Sequence, residues 1–293
     1  MDVKTQFDGS AVASPTIAGE DSAQSEQPES LASFSWFLIK LLMAVLIFRS
    51  FIFAPFSIPS ESMLPRLWNG DYLLAAKWPY GFSNYSLPFS APLIPSRILA
   101  SQPERGDVVI FKHPIDKTDY IKRVIGLPGD TIALIDGQVI LNGEALPQRR
   151  LDAFEIPVSV NTSCHRDGSP ATDAQNAPVC RYTRMRETLP SGVSYDVLEF
   201  GILPGRDTFP AQGSSEPFIT VPEGQMFLLG DNRDNSLDSR FEASPGLAIG
   251  VVPQDLLVAE ATIIVWSTDG SAEWLNPLSW FSATRWDRIG SGL

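Results

Sequence analysis

Apolar residues are spread unevenly along the chain: residues 1–30 lack the apolar spacing of a packed helix, 34–57 are almost continuously apolar, and the remainder alternates in short runs between turn residues. The first stretch is rich in Ser, Ala, Pro and acidic groups, with Lys4 its only basic residue, and is predicted to be a disordered tail. The second is long enough to cross a bilayer, which takes about 20 helical residues, and predicts a transmembrane anchor over 34–57. Lys40 and Arg49 interrupt it; a charge held at the bilayer centre costs about 3 kcal/mol, and both are placed to snorkel towards a face. A cleaved signal peptide is the competing reading, but its leading segment is basic and short, whereas this one is acidic and long. Flanking charge says little about orientation.

Beyond residue 57 the pattern is that of strands. Arg105–Lys112 and Tyr120–Ile125 are β-branched and aromatic runs, the second ending at the turn Leu127-Pro-Gly-Asp130. Thr131–Ile135 and Gln138–Leu141 flank Asp136-Gly137, a dipeptide suited to a tight hairpin. Further strands are predicted over Phe218–Val221, Gln225–Leu229 and Leu256–Trp266, whereas 148–217, rich in Pro, Gly, Ser and charge, reads as a variable insertion with a few strands. No helix of useful length is expected after 57. The predicted fold class is mainly β: an antiparallel sheet or barrel-like domain over 58–293 behind one N-terminal membrane helix.

Composition narrows the chemistry. With 34 acidic against 22 basic side chains in 293 residues and a formal charge of -12, the chain is a poor match for polyanions, and no nucleic-acid partner is expected. Two histidines, His113 and His165, and two cysteines, Cys164 and Cys180, are too few for most zinc, haem or iron–sulfur sites. No metal is expected. The cysteines share the polar insertion. They either form a disulfide, worth about 3 kcal/mol outside the cytoplasm, or remain two free thiols.

Two serines, Ser60 and Ser62, stand just past the apolar run in Phe56-Ser-Ile-Pro-Ser-Glu-Ser-Met-Leu-Pro65, stiffened by flanking prolines. Serines in such a setting are ordinarily turn residues; one that acts as a nucleophile needs a base. His113 and His165 have no context that suggests this role. Lys122 shares a predicted strand face with Tyr120 and Val124; desolvation there lowers an amine's pKa and yields a neutral base, unless the side chain simply reaches solvent. A third cluster, Leu229 to Arg240, is dense in charge. Asp231 and Glu242 have the end-to-end spacing of a calcium loop, but Arg233 occupies a ligand position and Ser236 the place of the turn glycine.

Taken together and in order, Pro59-Ser-Glu-Ser-Met63, Asp119-Tyr-Ile-Lys-Arg-Val-Ile-Gly-Leu-Pro-Gly-Asp130 and Gly230-Asp-Asn-Arg-Asp-Asn-Ser-Leu-Asp-Ser-Arg240 resemble the bacterial type I signal peptidases, or leader peptidases, over roughly residues 34–268. The resemblance implies a serine endopeptidase with Ser62 as nucleophile and Lys122 as general base, and with the Ser60 hydroxyl and Ser62 N–H as oxyanion hole. It implies that Ser236 positions the lysine amine, that Asp238 and Arg240 form a structural charge pair, and that Arg123 and Asp231 are candidates for a second. It also implies that Phe56, Ile58, Met63, Leu67, Tyr120 and Ile121 line shallow pockets for small side chains at an Ala-x-Ala cleavage site.

The substrates so implied are signal peptides of exported preproteins, cut without a cofactor. The location is the inner membrane, spanned once, with the tail cytoplasmic and the catalytic domain periplasmic. Near the end, Trp274, Trp280, Phe281 and Trp286 either seat the domain on membrane lipid or belong to the core. The Ser-x-x-Lys motif of penicillin-binding proteins is absent around Ser60 and Ser62. The alternative from another class is an inactive membrane-anchored binding or assembly module, against which stand the retained serine and lysine.

Overall fold

Pro55 decides where the apolar run stops being helical. It has no N–H to donate and disfavours helix at the residue before it, so helix α1 spans Leu31–Phe51 and the chain continues as strand β1, Phe53–Ser57. The anchor predicted over 34–57 is thus a shorter helix followed by sheet. At 1.5 Å per residue α1 is about 32 Å long, and it is long and apolar enough to cross a membrane. The structure, a computed structural model, describes residues 31–164, 168–203, 205–210, 216–273 and 275–293. The predicted tail 1–30, His165 and Trp274 lie outside them.

In chain order the remaining strands begin with β2 (Asp71–Ala76), β3 (Val108–Lys112), β4 (Asp119–Gly126), β5 (Thr131–Ile135), β6 (Gln138–Leu141) and β7 (Glu144–Ala145). Next come β8 (Gln148–Arg150), β9 (Phe154–Pro157), β10 (Ser169–Thr172), β11 (Pro178–Tyr182), β12 (Arg184–Thr188) and β13 (Ser194–Leu198). The last are β14 (Ile219–Thr220), β15 (Gln225–Leu229), β16 (Val252–Pro253) and β17 (Leu257–Ser267), before a short helix α2 (Pro277–Ala283). The main sheet is antiparallel in the order β1-β2-β17-β3-β4-β15-β16. Its edge strand β1 carries Pro55, the position in a sheet where a missing N–H costs least. The predicted mainly β class is the one observed.

Both faces of the central strands are buried, and side chains divide between them with period two. Val108 and Ile110 of β3 join Ile58, Met63, Leu67, Leu73 and Ile264 on one side, while Val109 and Phe111 join Val124, Leu228 and Leu257 on the other. Asp136 and Gly137 adopt φ of 50° and 82°, the left-handed pair that the β5–β6 hairpin needs.

The stretch 148–217 is more ordered than its composition suggests. Its strands form two three-stranded sheets, β10-β11-β9 and β13-β12-β8. Cross-strand charge pairs such as Arg186↔Asp196 take the place of apolar alternation there, which hides the strand signal. Cys164 and Cys180 are disulfide-bonded. Cys180, Ile156, Tyr182 and Leu198 pack on Leu64, so this part of the chain covers the segment that carries Ser62. Near the end, Trp280 stacks on Trp266 with ring centroids 5.8 Å apart, while Phe281 and Trp286 stack on each other and remain largely exposed.

Candidate active site

Strand β4 puts Lys122 beside the segment that follows β1. The side chain is 4% exposed; its amine lies 2.7 Å from Ser62 Oγ and donates to Ile121 O at 3.0 Å. Burial pushes the amine down to about 8, with Asp238 and Asp231 pulling it up and Arg240 down. At pH 7 about a tenth of such amines are neutral, against roughly four in ten thousand for an exposed lysine. A neutral amine at this distance can accept the serine proton with no movement of heavy atoms. Ser60 Oγ stands 3.5 Å from Ser62 Oγ, and the Ser62 N–H donates to no group among the described residues.

The Ser62 segment is held from the far side by the polar loop after β15. Asn232 N–H donates to Ser62 O at 3.1 Å and Asn232 Nδ2 to Glu61 O at 3.3 Å. Gly230 makes this approach possible, because a Cβ there would stand 2.3 Å from Ser236 Oγ and 2.6 Å from Ser62 O. Three ion pairs fix the loop. Arg123 grips Asp231 through two hydrogen bonds of 2.7 and 2.6 Å, and Arg240 grips Asp238 through bonds of 2.8 and 3.0 Å. Arg233 pairs with Glu187 from β12. Burial pushes the Asp238 carboxyl up, but the Arg240 guanidinium and the Gly230 N–H more than offset it, leaving it below the usual carboxylate range.

A cleft of about 480 Å³ opens over the two serines. Phe56, Ile58, Tyr120 and Ile121 line it with Ser60, Ser62, Lys122 and Ser236. Met63 and Leu67, expected in the same pockets, instead lie in the core beneath; a turn that points Ser62 outward turns its apolar neighbours in. The Ser236 hydroxyl is buried without a hydrogen bond to the lysine, whose amine is directed at Ser62 Oγ and Ile121 O. Arg206, Asn235, Leu237 and Leu247 also line the cleft, and no sequence signal set them apart. Glu187 was equally hidden, since its partner Arg233 lies on a distant loop. Among the described residues no His, Cys, Asp and Glu cluster is arranged to hold a metal.

The family model described as signal peptidase, peptidase S26, matches residues 31–266. The signal peptidase I of Rickettsia typhi is 36% identical over 247 residues, covering 82% of this chain and 80% of that protein. That of Rickettsia massiliae is 37% identical over 235 residues, covering 79% and 78%. A crystal structure of a signal peptidase I from Enterococcus faecalis shares 28% identity and covers 55% of this chain and 97% of its own, with a TM-score of 0.28. The extent of the family match and the identity to these relatives show that the chain belongs to the S26 signal peptidase family.

Proposed function

We propose that the chain is a membrane-bound serine endopeptidase that removes N-terminal signal peptides from exported preproteins, with Ser62 as nucleophile and Lys122 as general base. The observation that carries this reading is the 2.7 Å contact between a buried, desolvated amine and a serine hydroxyl. Neutral Lys122 takes the Ser62 proton as Oγ attacks the scissile carbonyl, and the resulting ammonium gives that proton to the leaving amine. The Ser62 N–H and Ser60 hydroxyl stabilise the oxyanion. A water deprotonated by Lys122 then hydrolyses the acyl-enzyme. No cofactor enters the scheme.

The substrate lies extended in the cleft, with small −1 and −3 side chains of an Ala-x-Ala site against Phe56, Ile58, Tyr120 and Ile121. Ser236 closes the site behind the amine as a positioning residue, and the Arg123–Asp231 and Arg240–Asp238 pairs keep the loop in place. Helix α1 spans the inner membrane, the domain 58–293 faces the periplasm, and the exposed Phe281–Trp286 pair rests at the lipid interface. An extracytoplasmic setting suits the Cys164–Cys180 disulfide. The test is cleavage of a model preprotein by the purified full chain. Ser62→Ala and Lys122→Ala each abolish it, and a large residue at −1 or −3 of the substrate blocks it; wild-type turnover by the Lys122 variant overturns the reading.

A further inference from the structure

Where the chain leaves α1, a second cavity of about 170 Å³ adjoins the cleft and shares Phe56 and Asp119 with it. It has room for several waters, a space suited to a small polar head. Three cations line it, Arg49, Lys77 and Lys112, against one carboxylate, Asp119. That carboxylate is already committed to Lys112 at 2.8 Å.

Lys77 is the anomaly. It is 4% exposed, yet the contacts of its ammonium are a long hydrogen bond to Tyr85 O at 3.4 Å and the face of Phe56 at 5.9 Å. Among the described residues no carboxylate pairs with Lys77 or Arg49. Burial lowers the Lys77 amine to about 8, Asp119 raises it, and Lys112 and Arg49 lower it further, so near pH 7 most of these amines still carry a charge. A buried cation without a counter-charge is costly, and the cavity holds space for an anion beside it.

The position selects the kind of anion. Arg49 belongs to the last turn of α1, the helix of membrane-crossing length. At the rim, Phe89 is fully exposed on left-handed backbone, with φ of 56° followed by 52° at Ser90. An aromatic held away from the protein next to basic side chains is the arrangement found at a lipid headgroup layer. We propose that Arg49, Lys77 and Lys112 bind the phosphate of an anionic membrane phospholipid, a site that rests on α1 being a membrane span.

The test is lipid retention, measured by native mass spectrometry on the detergent-solubilised full chain carrying Ser62→Ala, so that no turnover enters the readout. Dioleoylphosphatidylglycerol is expected to occupy one site more tightly than dioleoylphosphatidylcholine. Lys77→Met, and separately Arg49→Gln with Lys112→Gln, are each expected to weaken it about tenfold or more, the loss of a charge-assisted hydrogen bond. Lys117→Gln, an exposed lysine in the β3–β4 turn, is expected to change nothing. Unchanged retention in both site variants, with unfolding temperatures like that of the parent, overturns the proposal. So does displacement of the lipid by equimolar inorganic phosphate, which would assign the cavity to a free anion. Release of the chain from membranes by alkali would sink the reading of α1 instead, leaving the two failures distinct.

Discussion

Replacing Lys122 with methionine separates what the buried amine does for catalysis from what it costs the fold. The amine is held at about 8 against an ordinary value near 10.4, and a gap of that size corresponds to about 3 kcal/mol. Because burial depresses the pKa of a base, the unfolded chain binds more protons than the folded one between the two values. The penalty is therefore complete below about pH 8 and disappears as pH rises through the ordinary lysine value. Methionine fills a similar volume without the charge, but it forfeits the contacts to Ser62 Oγ and Ile121 O, each worth about 1 kcal/mol net.

At pH 7 the variant should consequently gain on the order of 1–2 kcal/mol, or about 2–8 °C in Tm for a domain of this size. At pH 10 or above the neutral lysine keeps its hydrogen bonds at little cost, so the gain should vanish or reverse. Cleavage should fall by about a thousandfold or more at every pH. The assay is thermal unfolding of the full chain in detergent, followed by tryptophan fluorescence at both pH values, beside turnover of a model preprotein. A variant less stable than wild type at pH 7, or an offset that does not change with pH, refutes the reasoning about desolvation.

Ser60→Ala should lower kcat about a hundredfold, as expected for one lost oxyanion donor, while leaving KM nearly unchanged; an undiminished kcat removes Ser60 from that role. Gly230→Ala should cost about 1–3 kcal/mol through overpacking and reduce kcat, because the added methyl meets Ser236 Oγ and Ser62 O; wild-type kcat and Tm would show that the loop yields freely. Glu187→Gln leaves Arg233 buried without its partner and should destabilise by about 3–5 kcal/mol, read as a lower denaturation midpoint; a change within about 0.5 kcal/mol, the range of an ordinary surface substitution, would mean that the pair contributes little.

Local chemistry was legible in the sequence wherever one residue or a short pattern carries it. The unbroken β-branched and aromatic run Val108, Val109, Ile110 and Phe111 announced a strand, and Asp136-Gly137 announced the β5–β6 hairpin. The serine and lysine were legible only through the joint order of three motifs, since nothing in either residue reveals that β4 brings them to 2.7 Å. What stayed hidden depends on tertiary partners. The apolar run did not disclose that Phe53–Ser57 pairs with β2. Glu187 looked like one more charge in a polar insertion, yet it neutralises Arg233 on the loop beside the cleft. Met63 and Leu67 sat close to Ser62 in sequence, and only the direction of the turn assigns them to the core.

The dense charge of residues 230–240, which in sequence invited comparison with a cation site, works in the opposite sense. A lone carboxylate close to Lys122 would raise its pKa by about 1–3 units, enough to cancel most of the effect of burial and leave hardly any neutral amine at pH 7. Asp238 and Asp231 do pull in that direction, but each is held by its own guanidinium, Arg240 or Arg123. Arg240 opposes the pull of these carboxylates at the amine, and desolvation remains the dominant influence. Arg240 also donates to Arg233 O, tying this neutralised charge to the backbone that carries Asn232. Since Asn232 in turn grips Ser62 O and Glu61 O, one loop both helps keep the lysine largely free of carboxylate stabilisation, so that its ammonium gives up a proton readily, and holds the serine within its reach. That coupling gives a reason for charge so dense in a place where no net charge is wanted.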